Sequence, residues 1–215
     1  MSRCVILAAG PVDEPDRLRP LLRADDWFIA ADGGWKLAQA LGVSVSLLVA
    51  DFDSLAFRAD AADGAELLRL PAEKDWTDTM ASAMEGFRRG DREFLLGTGG
   101  RLDHTVANFA VLYYLLRRGA RAVMADTHNR VELKLPGSYR LEPEEGYKFS
   151  LFPYAGEVTG LTERQVYYPL DNATLTPDNP LGVSNEFLRD PAENTLLPAE
   201  ISFKSGVLMI FLSKD

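Results

Sequence analysis

Over roughly the first 125 residues, short apolar runs of β character alternate with longer stretches of helical period. Residues 4–10 (CVILAAG), 27–31 (WFIAA), 46–50 (SLLVA), 66–70 (ELLRL), 93–97 (EFLLG) and 121–125 (RAVMA) read as strands. They are compact apolar runs bounded by Gly, Pro or Asp, as strands buried on both faces are. Helical patterns lie between them at 34–41, 77–89 and 103–118, each followed by a glycine (Gly42, Gly90, Gly119). Glycine just past the last turn terminates a helix readily, and arginines close two of the three where the helix dipole favours cations. Such a rhythm predicts a mainly parallel sheet covered by helices on both faces. Residues 11–20, charged and proline-bearing, read as a surface loop.

From about Val131 the period changes from helical to two. Residues 131–161 carry alternating stretches separated by Pro-Gly, Glu-Gly and Ala-Gly signals, and further short runs follow at 165–169, 172–175, 200–203 and 207–212. With no apolar pattern of helix length, this part predicts antiparallel strands in a small sandwich or barrel. The junction falls within residues 127–130.

Composition narrows the class. Of 215 residues, 47% are apolar, 26% charged and 10% aromatic, which excludes a disordered chain. A lone cysteine, Cys4, excludes an internal disulfide framework. The formal charge of −9, from 32 carboxylates and 23 cations, argues against a phosphate-backbone partner, so no nucleic acid is expected. The apolar run before Gly10 and Pro11 is too short for a signal-peptide core and no membrane-spanning run follows, so the expected location is cytoplasmic, with no membrane partner.

The placement of aspartates carries the chemistry. Asp32 follows the second strand, Asp51 and Asp53 the third, Asp75 and Asp78 lie beyond the fourth, and Asp103 follows the fifth. Open parallel sheets bind ligands beyond the carboxyl ends of their strands, so six carboxylates are expected around one edge. Clustered like charges need compensation, and hard oxygen donors suit Mg²⁺ or Mn²⁺. Asp51 and Asp53, two apart in extended chain, point to one side and can share a cation; equally, Asp51 could open a turn and Asp53 or Ser54 cap a helix. Thr77 and Asp78 suit the start of a helix, whereas Lys74 beside two aspartates is placed for a phosphate oxygen. In the loop Gly97-Thr98-Gly99-Gly100-Arg101, glycine amides and a helix N-terminus can approach an anion and Arg101 can grip it, although the loop is neither a Walker A nor a G-x-G-x-x-G sequence. His104 follows at the helix start, with Asn108 one turn on. The segment 181–187, read alone, is an ordinary hairpin turn.

Taken together these segments resemble the thiamine pyrophosphokinase family. The stretches ADGGWKLAQALGVSVSLLVADFDSL (31–55), EKDWTDT (73–79), GTGGRLDHTVANFAVLY (97–113) and YYPLDNATLTPDNPLGVSNEF (167–187) occur in the family's order. Two positions depart from its pattern: Ala50 stands where a glycine usually precedes D-F-D-S, and Trp76 where a polar residue is common. The resemblance implies a mainly parallel, Rossmann-like α/β catalytic domain over residues 1–128, binding ATP and Mg²⁺. A C-terminal antiparallel β-sandwich over 129–215 would then help to hold thiamine. It also implies a homodimer with active sites at the subunit interface, making thiamine diphosphate and AMP. By motif, Asp51, Asp53 and Asp78 would bind metal, while Asp32, Lys74, Gly99, Gly100, Arg101 and His104 would bind nucleotide. Asp75, Asp78, Arg101 and Asp103 would serve catalysis, with Asp75 or Asp103 as the base, and Ser184 and Asn185 would contact thiamine. Two other classes share features of this sequence: a metal-dependent D-x-D glycosyl- or nucleotidyltransferase, and a non-catalytic ligand sensor.

Overall fold

The computed structural model describes residues 3–9, 15–51, 64–71, 73–98 and 100–215. The chain is a mixed α/β protein that divides into two compact units, Met1–Thr127 and His128–Asp215.

The first unit contains strands β1 (Cys4–Leu7), β2 (Trp27–Ala31), β3 (Val45–Ala50), β4 (Glu66–Arg69), β5 (Glu93–Gly97) and β6 (Arg121–Ala125). All pair in parallel, in the order β4-β3-β2-β1-β5-β6. Helices α1 (Gly34–Leu41), α2 (Asp78–Arg88) and α3 (Leu102–Leu116) connect them. Successive residues of a strand face opposite ways, and β1 shows the consequence. Val5 and Leu7 pack with Leu37, Ala38 and Leu41 of α1. Cys4 faces α2, where a Cβ on Gly86 would stand 3.0 Å from its sulfur. The sheet is therefore covered on both sides, which is why β1 and β2 are apolar without alternation, as is β3 from Leu47 on. Gly42 ends α1 in the left-handed region (φ 66°), its N–H bonded to the carbonyls of Ala38 and Gln39. Where residues 11–20 were expected as loop, the described part carries two short 3-10 turns, Pro15–Arg17 and Arg19–Leu21.

The second unit comprises β7 (Asn129–Lys134), β8 (Gly137–Leu141), β9 (Lys148–Arg164), β10 (Ala173–Leu175), β11 (Ala199–Phe203) and β12 (Ser205–Ser213). Every pairing among them is antiparallel. β9 takes part in both halves of the unit. Its first part pairs with β12, which in turn pairs with β7, and its last residues pair with β11, which in turn pairs with β8. Phe149, Leu151, Leu208 and Ile210 from one half and Leu141, Ile201 and Phe203 from the other share one buried cluster. The Ala155-Gly156 signal, read from sequence as a separator, lies inside β9. Both residues adopt positive φ (58° and 123°), and the strand bends there without ending. Residues 165–169 do not form the expected strand, since Gln165 turns the chain (φ 59°), Pro169 has no N–H to pair, and only Val166 makes a bridge, to Phe187. Among the described residues, no helix is long and apolar enough to cross a membrane.

Candidate active site

The order of strands in the first unit reverses at β1, with β2 on one side and β5 on the other. Loops leaving the two sides diverge there and open a crevice beyond the carboxyl ends. A cavity of about 280 Å³ occupies this place. Ala8 and Ala9 follow β1 into its wall, Asp32 follows β2, and Asp51 follows β3. Lys74, Trp76 and the first turn of α2 form another side, and His104 and Asn108 of α3 complete the lining.

Local chemistry explains how each group arrives. Asp32 sits in the left-handed region (φ 48°), and its N–H donates to the Val49 carbonyl at 2.8 Å, pinning the turn after β2 onto β3. Aspartate tolerates that backbone better than most residues. The chain then enters α1 through Gly34, where any Cβ would lie 1.8 Å from the Leu7 carbonyl oxygen, so only glycine permits the approach. Thr77 caps α2 by accepting from the Met80 N–H at 3.1 Å. Asn108 reaches back from α3 and donates to the carbonyls of Gly97 (3.1 Å) and Thr98 (3.3 Å), satisfying backbone at the end of β5.

The charge distribution is uneven. Lys74 Nζ lies 3.3 Å from Asp51 Oδ2 and 3.1 Å from Asp78 Oδ1. The second contact is an ion pair but not a directed hydrogen bond, for Asp78 Oδ1 is buried without a hydrogen-bond partner. Burial raises the Asp78 carboxyl above its ordinary pKa; Lys74 opposes the rise, and the charges of Asp32 and Asp51 add to it. Burial acts to lower the Lys74 ammonium, but the two carboxylates outweigh it and hold the group above its usual value. Three carboxylates thus line a cavity beside one ammonium. Carboxylate oxygens are the donors that a hard divalent cation takes. Among the described residues, no three His, Cys, Asp or Glu groups converge closely enough to hold a metal unaided.

Of the residues singled out from sequence, Asp32, Asp51, Lys74, Asp78 and His104 come together around the cavity. Asp53 and Gly99 lie outside the described residues. Asp75 is exposed and is not part of the lining. Arg101 and Asp103 are also exposed and outside the lining, bonded to each other, while Asp103 Oδ1 further accepts from the His104 N–H at 3.0 Å. At the start of α3 the Asp103 carboxylate is thus taken up by Arg101 and by the His104 amide. Gly100 also differs from expectation, because its N–H donates to the Ala9 carbonyl at 3.0 Å and ties two loops together.

Ser184 and Asn185 belong to the second unit. Ser184 is exposed, with φ 57°, and its N–H donates to Ser150 Oγ at 2.9 Å. Asn185 is buried and uses all four of its side-chain hydrogen-bonding positions within the protein. Nδ2 donates to Glu163 Oε1 (3.1 Å) and the Tyr168 carbonyl (2.9 Å), and Oδ1 accepts from the N–H groups of Tyr168 (3.0 Å) and Glu186 (2.9 Å). Its amide has no capacity left for a ligand. Segment 181–187 is accordingly more than a turn: Asn185 and Phe149 exchange backbone bonds and Leu151 N–H donates to the Gly182 carbonyl, which lays the segment along β9. Sequence reasoning missed Glu163 and the lining role of Thr79. Strand parity could have exposed the first, since Glu163 stands two residues after the core residue Leu161 and so turns to the same side.

Two family models match this chain: "Thiamin pyrophosphokinase, catalytic domain" over residues 18–124 and "Thiamin pyrophosphokinase, vitamin B1 binding domain" over residues 138–208. A thiamine pyrophosphokinase of Bacillus subtilis (strain 168) is 28% identical over 223 residues, covering all of both chains. Among solved structures, that of the Bacillus subtilis thiamine pyrophosphokinase aligns over all of both chains with a TM-score of 0.86 at 24% identity. The thiamin pyrophosphokinase of Geobacillus thermodenitrificans aligns over all of this chain and 98% of the other, with a TM-score of 0.82 at 27% identity. A thiamin pyrophosphokinase family protein of Enterococcus faecalis aligns over 99% of both, with a TM-score of 0.80 at 29% identity.

Proposed function

The chain belongs to the thiamin pyrophosphokinase family, and on that premise we propose that it transfers the diphosphate of ATP to the hydroxyl of thiamine, giving thiamine diphosphate and AMP. The observation that supports this most is the cavity itself, which gathers Asp32, Asp51 and Asp78 around Lys74 at the point where the strand order reverses. We read the first unit as a Rossmann-like catalytic domain and the second as a β-sandwich that binds thiamine.

Asp51 and Asp78, with Asp53, would hold Mg²⁺. Bound there, the cation neutralises charge on the phosphates of ATP and polarises the phosphorus under attack. Lys74 keeps a positive charge at the cavity and offers three donors to phosphate oxygens. Arg101, once released from Asp103, presents a planar fork that suits a phosphate. Asp32 and His104 would line the nucleotide's place, with Gly99 and Gly100 assigned to it as well. A carboxylate accepts the hydroxyl proton of thiamine during in-line attack on the β-phosphorus. Asp75 and Asp103 are the two candidates for this carboxylate.

Ser184 would contact thiamine. Around it Tyr167, Tyr168, Leu181 and Val183 are exposed although apolar or aromatic, which suits burial against a substrate and a second subunit. We therefore favour a cytoplasmic homodimer whose active sites lie between subunits. Incubation with ATP, MgCl₂ and thiamine, followed by mass detection, tests the function. Stoichiometric thiamine diphosphate and AMP are expected; ADP with thiamine monophosphate, or no transfer, would overturn it.

A further inference from the structure

Glu163 is 1% exposed, in a unit whose other buried side chains, Asn185 apart, are apolar or aromatic. Oε1 accepts from Asn185 Nδ2 at 3.1 Å, while Oε2 is buried with no hydrogen-bond partner. A buried carboxyl with an orphaned oxygen is costly and needs a reason. Asn185 supplies one. Its amide is asymmetric, and the environment reads the asymmetry: two acceptors, Glu163 Oε1 and the Tyr168 carbonyl, face Nδ2, and two backbone N–H groups face Oδ1. Were the amide turned over, oxygen would meet two acceptors and nitrogen two donors. Glu163 thus contributes one of the four contacts that fix the orientation, and the only one that comes from a side chain. Asn185 in turn directly follows Ser184, whose left-handed backbone (φ 57°) must be held by its surroundings.

We propose that Glu163 is a positioning residue for thiamine recognition, locking the Asn185 amide in one orientation and so fixing the exposed Ser184 where the substrate's aminopyrimidine meets it. This rests on the reading that the Ser184 turn contacts thiamine. The role is one of geometry: Glu163 touches neither substrate, and it acts on one substrate of the two.

Steady-state kinetics with Glu163→Leu, Glu163→Gln and Ser184→Ala, each shown to be folded by circular dichroism, test the inference. Leucine fills much of the volume but removes the acceptor, so KM for thiamine rises about five- to thirtyfold, the effect of one lost neutral hydrogen bond whose partner stays buried, while KM for ATP and kcat stay within about twofold. Glutamine restores an acceptor oxygen and returns KM for thiamine to near the parent value. An equal rise in both KM values, or a Gln variant as impaired as the Leu variant, would overturn the proposal in favour of a purely structural Glu163. If Ser184→Ala raises KM for thiamine and Glu163→Leu does not, the role of Glu163 falls alone; if neither does, the assignment of the turn to thiamine falls with it. Should the leucine variant not fold, Glu163→Met, with its adaptable unbranched chain, is read by the same criteria.

Discussion

Arg101 and Asp103 grip one another through two bonds at the start of α3, Nε to Oδ1 at 3.0 Å and Nη2 to Oδ2 at 2.5 Å. Both side chains are mostly exposed, and exposed ion pairs are weak because water and salt compete for each charge. A polyphosphate carries more charge than one carboxylate and presents more acceptor oxygens. The pair therefore reads as a resting arrangement that the nucleotide displaces.

Arg101→Ala is expected to raise KM for ATP about tenfold or more, or to lower kcat, as loss of a charge-assisted bidentate contact does. KM for thiamine should stay within about twofold. Initial rates with each substrate varied in turn check this, and an unchanged ATP dependence would remove Arg101 from the nucleotide site.

Lys74 is the cation between Asp51 and Asp78. Lys74→Met leaves those carboxylates, with Asp32, to repel one another. We expect a lower Tm in EDTA and a larger upward shift on adding Mg²⁺ than the parent shows, since the cation then replaces the missing charge. Thermal melts with and without Mg²⁺ measure it. Turnover should fall by about a hundredfold or more, as loss of charge stabilisation at a reacting phosphate typically causes. Asp51→Asn should show the turnover loss with a smaller Mg²⁺ shift.

Burial pushes the Glu163 carboxyl from its ordinary 4.5 up to about 7, and the Asn185 bond opposes the rise only in part. The folded protein then holds a proton that the unfolded chain has released. The group's contribution to stability is complete below pH 4.5, declines as pH rises, and is lost above about 7. Glu163→Gln does not titrate. It should gain on the parent by on the order of 3 kcal/mol between these limits, visible as a divergence of urea midpoints with pH. Parallel pH profiles for the two proteins would contradict a proton on Glu163.

If active sites form between subunits, the protein elutes as a dimer, and mixing Asp51→Asn with Ser184→Ala protein regenerates some complete sites. Recovered activity on mixing two impaired samples is the measurement. A fully active monomer would rule the arrangement out.

The legible parts of this molecule were those where one-dimensional pattern coincides with physical constraint. Strands β1 and β2 were readable because both of their faces are covered, which leaves runs with no polar break, and β3, β5 and β6 because each keeps a buried apolar stretch. The bend in β9 was not, because Ala155-Gly156 spells a turn locally while pairing with β12 before it and with β10 and β11 after it keeps the strand going. Residues 165–169 failed the other way: an alternating pattern met Gln165 in the left-handed region and Pro169 without a donor. In the candidate site, position at the end of a strand is enough to bring Asp32 and Asp51 to the cavity. Side-chain direction was beyond such reasoning for Asp103, whose carboxylate is claimed by Arg101 and by the His104 amide. Asn185 shows the same limit, for its exposed neighbour looked no different on the page from a residue with four internal bonds.

The chain's one thiol gives a direct clock for opening of the first unit. Cys4 is fully buried between β2 and β5, and burial, followed by the charge of Asp91, pushes its pKa well above the ordinary value. Neither access nor ionisation favours its reaction with a water-soluble disulfide reagent in the folded state. Labelling therefore proceeds only as fast as the cover over the sulfur, in which Gly86 of α2 takes part, lifts from β1. Because β1 lies at the reversal of strand order, beneath the cavity, a nucleotide seated there should slow modification even in a variant that no longer turns over.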